Sequence, residues 1–305
     1  MPLAPLVIVN PAAGRGRALR AVPWIRERLA LRTEARLEIT ARPGDAEALA
    51  ADAGRAGHDH VVAIGGDGTV QEVVNGLLLA GSSSARTLGI VPLGSGNDLA
   101  RGLGLPAEPG SAWKVAIGRG ARIIDVAHAR NGSGAERWFA AAGGIGFDAQ
   151  VAAAMSGRRG WHAGRAGYLL TTLTELRRFE NRRVTIDIDG GTVTRDVLFV
   201  AIANGMFYGG GMRIAPAAEP DDGHLDVCVV GDLSRLAALR QLPNLYRGTH
   251  VRHPAVSTHA GTSISIDGAD DIPIHLDGEP FGWLPLTVSI VPAALEVAAS
   301  TRDER

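Results

Sequence analysis

The apolar residues of roughly the first 120 positions fall in short runs that alternate with segments of helical period. This alternation predicts a parallel sheet covered by helices. Strands are predicted at residues 6–9, 37–40, 60–64 and 88–91, and helices at residues 18–31, 45–57 and 69–79. The helix at 69–79 has the clearest pattern, because Val70, Val73 and Leu77 recur at spacings of three and four.

From about Arg122 the apolar pattern changes to period two, as in Val184, Ile186 and Ile188, which is typical of half-buried antiparallel strands. Asp-Gly pairs at 189–190, 267–268 and 277–278 predict tight turns, and helices are expected at 168–179 and at 234–242, before Pro243. We therefore expect an α/β N-terminal domain with a parallel sheet, residues 1–124, and a β-rich C-terminal domain, an antiparallel sandwich, over residues 125–305. The last residues are allowed to pack back on the first domain.

The composition favours a chain that folds throughout and stays in the cytoplasm. Of its 305 residues 46% are apolar, which is enough to bury cores in two domains. A formal net charge of -1 lacks the basic bias of proteins that bind nucleic acid, so no nucleic-acid partner is expected. Cys228 is the single cysteine, which excludes an intrachain disulfide and a cysteine-rich zinc site. We find no signal peptide and no apolar stretch of about 18 residues, the length of a membrane span.

A glycine-rich string follows the apolar run 61–64 and leads into the predicted helix 69–79. A loop in this position presents unpaired backbone N–H groups and the positive end of a helix dipole, which together bind phosphate. Asp67 can hold a metal ion or orient the loop, and Thr69 can cap the helix or donate to a phosphate oxygen; a plain glycine turn is the alternative. The predicted nucleotide-binding residues here are Gly65, Gly66, Asp67, Gly68, Thr69, Val70 and Gln71.

A second glycine turn follows the predicted strand 88–91 and carries a hydroxyl, an amide and a carboxylate, on Ser95, Asn97 and Asp98. We expect these three side chains beside the first loop, because ligands usually bind where the strands of an α/β sheet end. For Asn97 and Asp98 the start of a capped helix is the alternative interpretation.

Read together, the two strings resemble the diacylglycerol kinase catalytic domain family of bacterial lipid kinases and sphingosine kinases. Gly-Gly-Asp-Gly-Thr is shared with NAD kinases and phosphofructokinases, whereas residues 92–101 match the element P-x-G-[ST]-x-N-D-x-[AG]-R typical of the diacylglycerol kinase domain. Residues 9–14 and 40–46 match two further family segments, V-N-P-x-[AS]-G and T-x-x-x-G-D-A. The resemblance implies a phosphofructokinase- and NAD kinase-like first domain, with Asn10 close to the nucleotide loop and Thr40 in contact with the nucleotide.

The same resemblance implies a metal loop in the second half of the chain. Residues 215–227 are similar to the segment A-P-x-A-x-x-x-D-G-x-L-D-V, which is a structural Mg2+ loop in bacterial members. It implies that Asp222 supplies a carboxylate, while Glu219 and His224 stand where backbone oxygens usually coordinate. Without the family, the stretch is equally consistent with a charged β-turn.

Phosphoryl transfer to a hydroxyl requires a group that accepts the hydroxyl proton, usually a carboxylate. Residues 276–279 match the family motif L-D-G-E, so Asp277 and Glu279 are both candidates for this base, and the sequence does not choose between them. Residues 143–148 and 204–212 also resemble family segments. For 143–148 we expect a position at the substrate site, with a core turn as the alternative.

The resemblance implies a lipid kinase that uses ATP and Mg2+, with diacylglycerol as the first candidate acceptor. Another lipid (a sphingoid base, ceramide or a polyprenol), NAD, and an inert nucleotide- or lipid-binding protein are the alternatives. A lipid substrate requires peripheral contact with the inner face of the membrane. A homodimer is possible, and the sequence does not decide the oligomeric state. Two clusters of basic and aromatic residues are predicted to border the lipid entrance: Arg158, Arg159, Trp161, His162, Arg165 and Tyr168, and then Arg177, Arg178, Arg182 and Arg183.

Overall fold

A computed structural model describes residues 5–30, 35–56, 58, 60–79, 87–155, 165–177 and 180–300, with backbone only at 165–169. The chain divides into two compact units. The first unit comprises Met1–Ile124 together with Ala293–Arg305, and the second comprises Asp125–Pro292. The chain therefore passes between the units twice.

The first unit is built from alternating strands and helices. They are β1 Leu6–Val9, α1 Ala13–Leu29, β2 Arg36–Ile39, α2 Asp45–Arg55, β3 His60–Gly65, α3 Asp67–Leu79, β4 Thr87–Pro92, α4 Asp98–Gly102 and α5 Pro109–Ala116. The four strands are parallel in the order β2-β1-β3-β4, as the alternation predicts. The core lies between sheet and helices, where Val7, Ile64 and Trp113 pack against Ile25 of α1.

The second unit is β-rich and contains three helices in its described part. Its elements are β5 Ala121–Asn131, β6 Glu136–Phe139, β7 Ala142–Gly146, α6 Phe147–Met155, α7 Arg165–Leu176, β8 Arg182–Ile188, β9 Gly191–Ala203, β10 Phe207–Tyr208, β11 Met212–Arg213, β12 Leu225–Gly231, α8 Arg235–Arg247, a 3-10 turn His250–Arg252, β13 Val256–Gly261, β14 Ser263–Gly268, β15 Pro273–Leu276, β16 Glu279–Trp283 and β17 Leu286–Ala298. The first residues of β5 belong to the first unit, and so does the end of β17, where Glu296 and Val297 pair in parallel with β4.

Antiparallel pairing dominates the second unit, and this confirms the predicted fold class. The sheet runs β16-β15-β7-β9-β8-β14-β17, and β12 also pairs with β9. One face buries a core that includes Ile186, Ile264 and Leu276, at the period-two positions of the sequence. Another core, around Phe199, is covered by α6 and α8 and includes Leu245.

Two predictions are wrong and one is nearly right. Residues 14–16 are left-handed, so the regular part of α1 begins at Arg17, one residue before the predicted start at Ala18. Helix α8 continues through Pro243 to Arg247, because the buried Leu245 and the left-handed Gly248 set its end. The pair at 267–268 is no hairpin, since Gly268 still pairs with Val184 in the ladder of β14 and β8.

Candidate active site

The glycine loop of the first unit joins β3 directly to α3. A side chain at Gly65 would overlap the Thr69 hydroxyl, so only glycine lets the helix start this close to the strand. The Gly65 carbonyl oxygen accepts the backbone N–H groups of Leu93 at 2.7 Å and Gly94 at 2.9 Å. These two bonds connect the first glycine loop to the second.

Asp67 also holds the two loops together. Its Oδ2 accepts the backbone N–H of Asn97 at 2.7 Å, and its Oδ1 accepts that of Asp98 at 2.6 Å. Asn97 is left-handed, with φ 56°, and its side-chain oxygen accepts the Gly94 N–H at 3.0 Å. Burial raises the pKa of Asp67, against the two backbone donors that act to lower it. Of the two predicted roles of Asp67, the geometry supports loop orientation.

Asn10 reaches the first loop from the end of β1. Its Nδ2 donates to the Thr69 hydroxyl at 3.0 Å, and Thr69 is only 3% exposed. Thr69 therefore braces the loop from inside, and donation of its hydroxyl to a phosphate stays a prediction. Thr40 follows β2, is buried, and donates its backbone N–H to the Val9 carbonyl at 3.0 Å.

All predicted nucleotide-binding residues lie at the carboxyl edge of the first sheet, because each follows one of four parallel strands. Their exposure differs. Ser95 is exposed and Asn97 is partly so, as are the loop residues 66–68. Val70, Gln71 and Asp98 are buried, so their side chains do not form the loop surface.

Arg17 contacts the second glycine turn from the start of α1. Its Nη2 donates to the carbonyl oxygens of Leu93 at 3.1 Å and Gly94 at 2.5 Å. Arg17 is thus a clamp on the second glycine turn. The left-handed residues 14–16 turn the chain just before it.

The predicted metal loop of the second unit is exposed at Glu219, Asp222 and His224. One Asp222 oxygen accepts the His224 backbone N–H at 2.9 Å, and the His224 ring lies 2.9 Å from the Asp222 carbonyl. Within the described ranges no three His, Cys, Asp or Glu residues form a group that could hold a metal ion. Glu219 and His224 stay predictions as ligands, while Asp222 with the loop carbonyls is an oxygen donor set that fits Mg2+.

A buried carboxylate that the sequence did not single out shapes this loop. Asp125 is 3% exposed, accepts the Gly223 N–H at 2.7 Å, and donates its own N–H to the Pro220 carbonyl at 2.7 Å. The signal was present, because Asp125 interrupts the apolar run of β5. Close by, burial and the negative charge of Asp222 raise the pKa of Asp226.

The two candidate bases occupy different environments. The Asp277 carboxylate accepts three backbone N–H groups, from Ala140 at 3.1 Å and from Ala141 and Ala142 at 3.0 Å each. Asp277 and Gly278 form the left-handed turn that the sequence predicted, with φ 49° and 86°. Glu279, the first residue of β16, is exposed. Asp277 thus builds the turn, while Glu279 stands on its surface.

Behind this turn lies a buried pair. His275 Nε2 is 3.3 Å from Asp148 Oδ2, and the two side chains are each 4% exposed. Burial raises the pKa of Asp148, and the bond to His275 opposes that shift. Segment 143–148 is the buried end of β7 followed by the start of α6, and it places the Asp148 carboxylate in the core.

An apolar pocket lies among α6, α7, α8 and the strands β9 and β12. Asp148 is a carboxylate in its wall, and Tyr208, which stacks on the His275 ring at 6.1 Å, is another wall residue. Its apolar lining includes Val151, Leu176, Leu198, Met212, Leu242 and Leu245. The free volume is about 50 Å³, so the pocket is narrow.

Most of the first basic cluster, from Arg158 to Tyr168, lies outside the described residues, as does Arg178. In the second cluster Arg182 pairs with Asp271, and Arg183 lies 3.7 Å from Asp196. These acids reduce the positive charge that was predicted there. Among the described helices none is long and apolar enough to cross a membrane.

Comparison with known proteins agrees with this architecture. The diacylglycerol kinase catalytic domain family matches residues 4–129, and the YegS C-terminal NAD kinase beta sandwich-like domain matches residues 142–299. A diacylglycerol kinase of Mycobacterium tuberculosis is 34% identical over 95% of this chain and 93% of its own length. A Chromohalobacter salexigens protein with the provisional name YegS-like lipid kinase is 32% identical over 86% and 83%. A crystal structure from Bacillus anthracis, provisionally assigned as a diacylglycerol kinase, has a TM-score of 0.81 at 26% identity and covers 97% of this chain and 95% of that one.

The two glycine loops, the β-rich second unit and these relatives define a lipid kinase, a phosphotransferase with an alcohol group as acceptor. The chain belongs to the diacylglycerol kinase family, with the catalytic domain followed by a YegS-type C-terminal domain. The resemblance drawn from the motifs is confirmed.

Proposed function

We propose that this lipid kinase transfers the γ-phosphoryl group of ATP to diacylglycerol, with Mg2+, and so makes phosphatidic acid. The observation that carries the acceptor assignment is the apolar pocket of the second unit, with the Asp148 carboxylate in its wall. A pocket of this kind suits a molecule with a polar head and hydrocarbon chains.

The carboxyl edge of the first sheet is the proposed ATP site. Gly66 and Gly68 bring bare backbone to the start of α3, where the helix dipole favours phosphate. Asp67 and Arg17 hold the second glycine turn beside it. The exposed hydroxyl of Ser95 is placed to donate to a phosphate oxygen.

Asp222 and the carbonyl groups of its loop are the proposed Mg2+ ligands. When bound, the ion would hold this exposed loop in one arrangement, which is the structural role that the resemblance implies. Asp125 holds the loop in shape through Gly223, as its bond to that N–H indicates.

Glu279 is the proposed base, and Asp277 the residue that supports it. The acceptor oxygen attacks the γ-phosphorus, the bond from that phosphorus to the bridging oxygen breaks, ADP leaves, and the hydroxyl proton passes to Glu279. Asp277 is unsuited to this step, because three backbone N–H groups stabilise its negative charge and make it a poor proton acceptor.

The narrow pocket requires a movement before lipid enters. Pockets for ligands of drug size occupy about 300–1,000 Å³, whereas this one has about 50 Å³ free. Helices α7 and α8 carry much of its lining, so their separation is the proposed opening motion.

Contact with the membrane surface is proposed for α8. Its exposed Leu236 accompanies the exposed Arg235, Arg240 and Arg247, and the helix has no acidic residue. Cations near an anionic leaflet contribute about 1 kcal/mol each. Vesicles with and without anionic lipid test this in a sedimentation assay, and equal binding of the protein to both contradicts it.

The test of the function is an acceptor panel with radiolabelled ATP. The protein is incubated with diacylglycerol, sphingosine, ceramide, a polyprenol and NAD, each with Mg2+ or with excess chelator. We expect labelled phosphatidic acid that depends on Mg2+ and is lost in Glu279→Gln. Transfer of label to NAD alone contradicts the lipid assignment. Faster transfer to another lipid of the panel contradicts diacylglycerol as the acceptor and identifies that lipid in its place.

A further inference from the structure

His275 connects the pocket wall to the turn that carries Glu279. Its Nδ1 accepts the backbone N–H of Gly278 at 3.3 Å, and its Nε2 faces Asp148 Oδ2 at 3.3 Å. Gly278 immediately precedes Glu279. A continuous chain of hydrogen bonds therefore runs from the pocket wall to the residue beside the proposed base.

The bonding pattern determines the tautomer of the ring. Because Nδ1 accepts a hydrogen bond, it carries no proton, and the ring proton is on Nε2. Nε2–H then donates to the Asp148 carboxylate. Asp148 in turn accepts the Ala149 N–H at 2.9 Å, which fixes its own orientation in the first turn of α6.

The residues around His275 and Asp148 leave space for both side chains. His275 lies opposite Gly144 in the ladder of β15 and β7, and a side chain at Gly144 would overlap both Asp148 Oδ2 and His275 Nε2. Tyr208 stacks on the other side of the ring. Gly144 therefore provides the space in which an imidazole and a carboxylate meet away from water.

We propose that His275 is a positioning residue for the phosphoryl-transfer step: it holds the Gly278 N–H, and with it the backbone that presents Glu279, while Asp148 holds the ring. This role rests on the proposed function of Glu279 as base. It differs from acid–base catalysis by His275 itself, because both ring nitrogens are engaged inside the second unit.

Two conservative variants test separately the bond of His275 to Gly278 and its bond to Asp148. In His275→Asn the side-chain oxygen falls near the place of Nδ1 and can still accept the Gly278 N–H, but the donor to Asp148 is lost. In His275→Gln the amide reaches the place of Nε2 and can donate to Asp148, but the Gly278 bond is lost. We expect kcat to fall by ~10–100-fold in His275→Gln and by less than ~3-fold in His275→Asn, with KM for ATP unchanged.

Amide hydrogen exchange at Gly278 gives a measurement independent of activity. We expect faster exchange at Gly278 in His275→Gln, and exchange close to that of the unchanged protein in His275→Asn. Melting temperatures identify the assay conditions under which both variants are folded. Equal kcat losses in the two variants, or Gly278 exchange that neither variant changes, overturn the proposal.

A double-mutant cycle with Glu279→Gln decides whether His275 acts through Glu279. If it does, His275→Gln lowers kcat little further once Glu279 is replaced, by less than ~2-fold. The same fold loss in both backgrounds overturns the positioning role and leaves the base assignment standing. Full activity of Glu279→Gln alone overturns the base assignment, and the positioning role with it.

Discussion

The two units build their chemistry in different ways. In the first, each loop of the candidate site follows one strand of the parallel sheet. Loops that follow neighbouring strands therefore lie side by side at the edge of the sheet. In the second, antiparallel pairing of β7 and β15 brings Asp148 close to His275, and Asp125 meets Gly223, which is 98 positions away. A local motif therefore identifies the first site, whereas the second depends on strand register.

The units also share a device, a carboxylate that accepts backbone N–H groups from a neighbouring segment. Asp67 does so with two groups and Asp277 with three. In both motifs the aspartate next to a glycine constructs the loop. The contacts with phosphate and with the acceptor hydroxyl are proposed for other, exposed residues, Ser95 in one unit and Glu279 in the other.

The largest expected effect distinguishes the two acids of the second-unit turn. Glu279→Gln should lower kcat by ~10²–10⁴-fold, because the hydroxyl proton loses its acceptor, without changing the melting temperature. Asp277→Asn should lower the free energy of unfolding by about 1.5–3 kcal/mol, because an amide oxygen replaces a carboxylate that holds three donors. Steady-state kinetics and denaturant titration of both variants measure these quantities. An Asp277→Asn protein of full stability would contradict the structural role of that carboxylate.

In the first unit, Asp67→Asn should act on nucleotide binding. We expect kcat/KM for ATP to fall by ~10–100-fold, because the second glycine turn loses its attachment to the first loop and moves. Asp52→Asn is the matched control, since Asp52 is exposed and forms an ion pair with its helical neighbour Arg55. Kinetics with varied ATP at saturating lipid measure the effect, and equal behaviour of the two variants would contradict it.

Much of the first unit could be predicted from the sequence because its signals are local. A buried run, a glycine string and a helical stripe define strand, loop and helix in that order, and parallel strands end at one edge. The sequence could not show that Asn10 donates a hydrogen bond to the Thr69 hydroxyl, because that contact joins residues 59 positions apart. Nor could the sequence pattern predict which loop residues are exposed.

Less of the second unit could be predicted. The turn at Asp277 was evident from its Asp-Gly pair. The choice between Asp277 and Glu279 required the three donors at Ala140 to Ala142, which are far away in sequence. The partnership of Asp148 with His275 depends on the register of β7 with β15, which no local pattern specifies.

A smaller effect is expected at Gly144, the glycine that leaves space for the pair of Asp148 and His275. Gly144→Ala should lower the free energy of unfolding by about 1–3 kcal/mol, because the new methyl group overlaps Asp148 and His275. Gly205→Ala is the control, since a side chain there would meet its nearest neighbours at 3.8 Å and 3.9 Å. Denaturant unfolding measures both. Equal stabilities would contradict the close packing of the pair.

The smallest effect concerns a helix cap of the first unit, where no tertiary register is involved. Glu108 accepts the N–H groups of Gly110 at 2.7 Å and Ser111 at 2.6 Å, and these backbone bonds hold its pKa below the usual value. A carboxyl with a lowered folded-state pKa stabilises the fold above its unfolded-state pKa, and this contribution is lost as the pH falls through the folded-state pKa. The melting temperature of Glu108→Gln should therefore lie slightly below that of the unchanged protein at neutral pH, and the difference should vanish in acid. A difference that is constant with pH would show that the charge of Glu108 does not contribute, and that the cap acts through its shape alone.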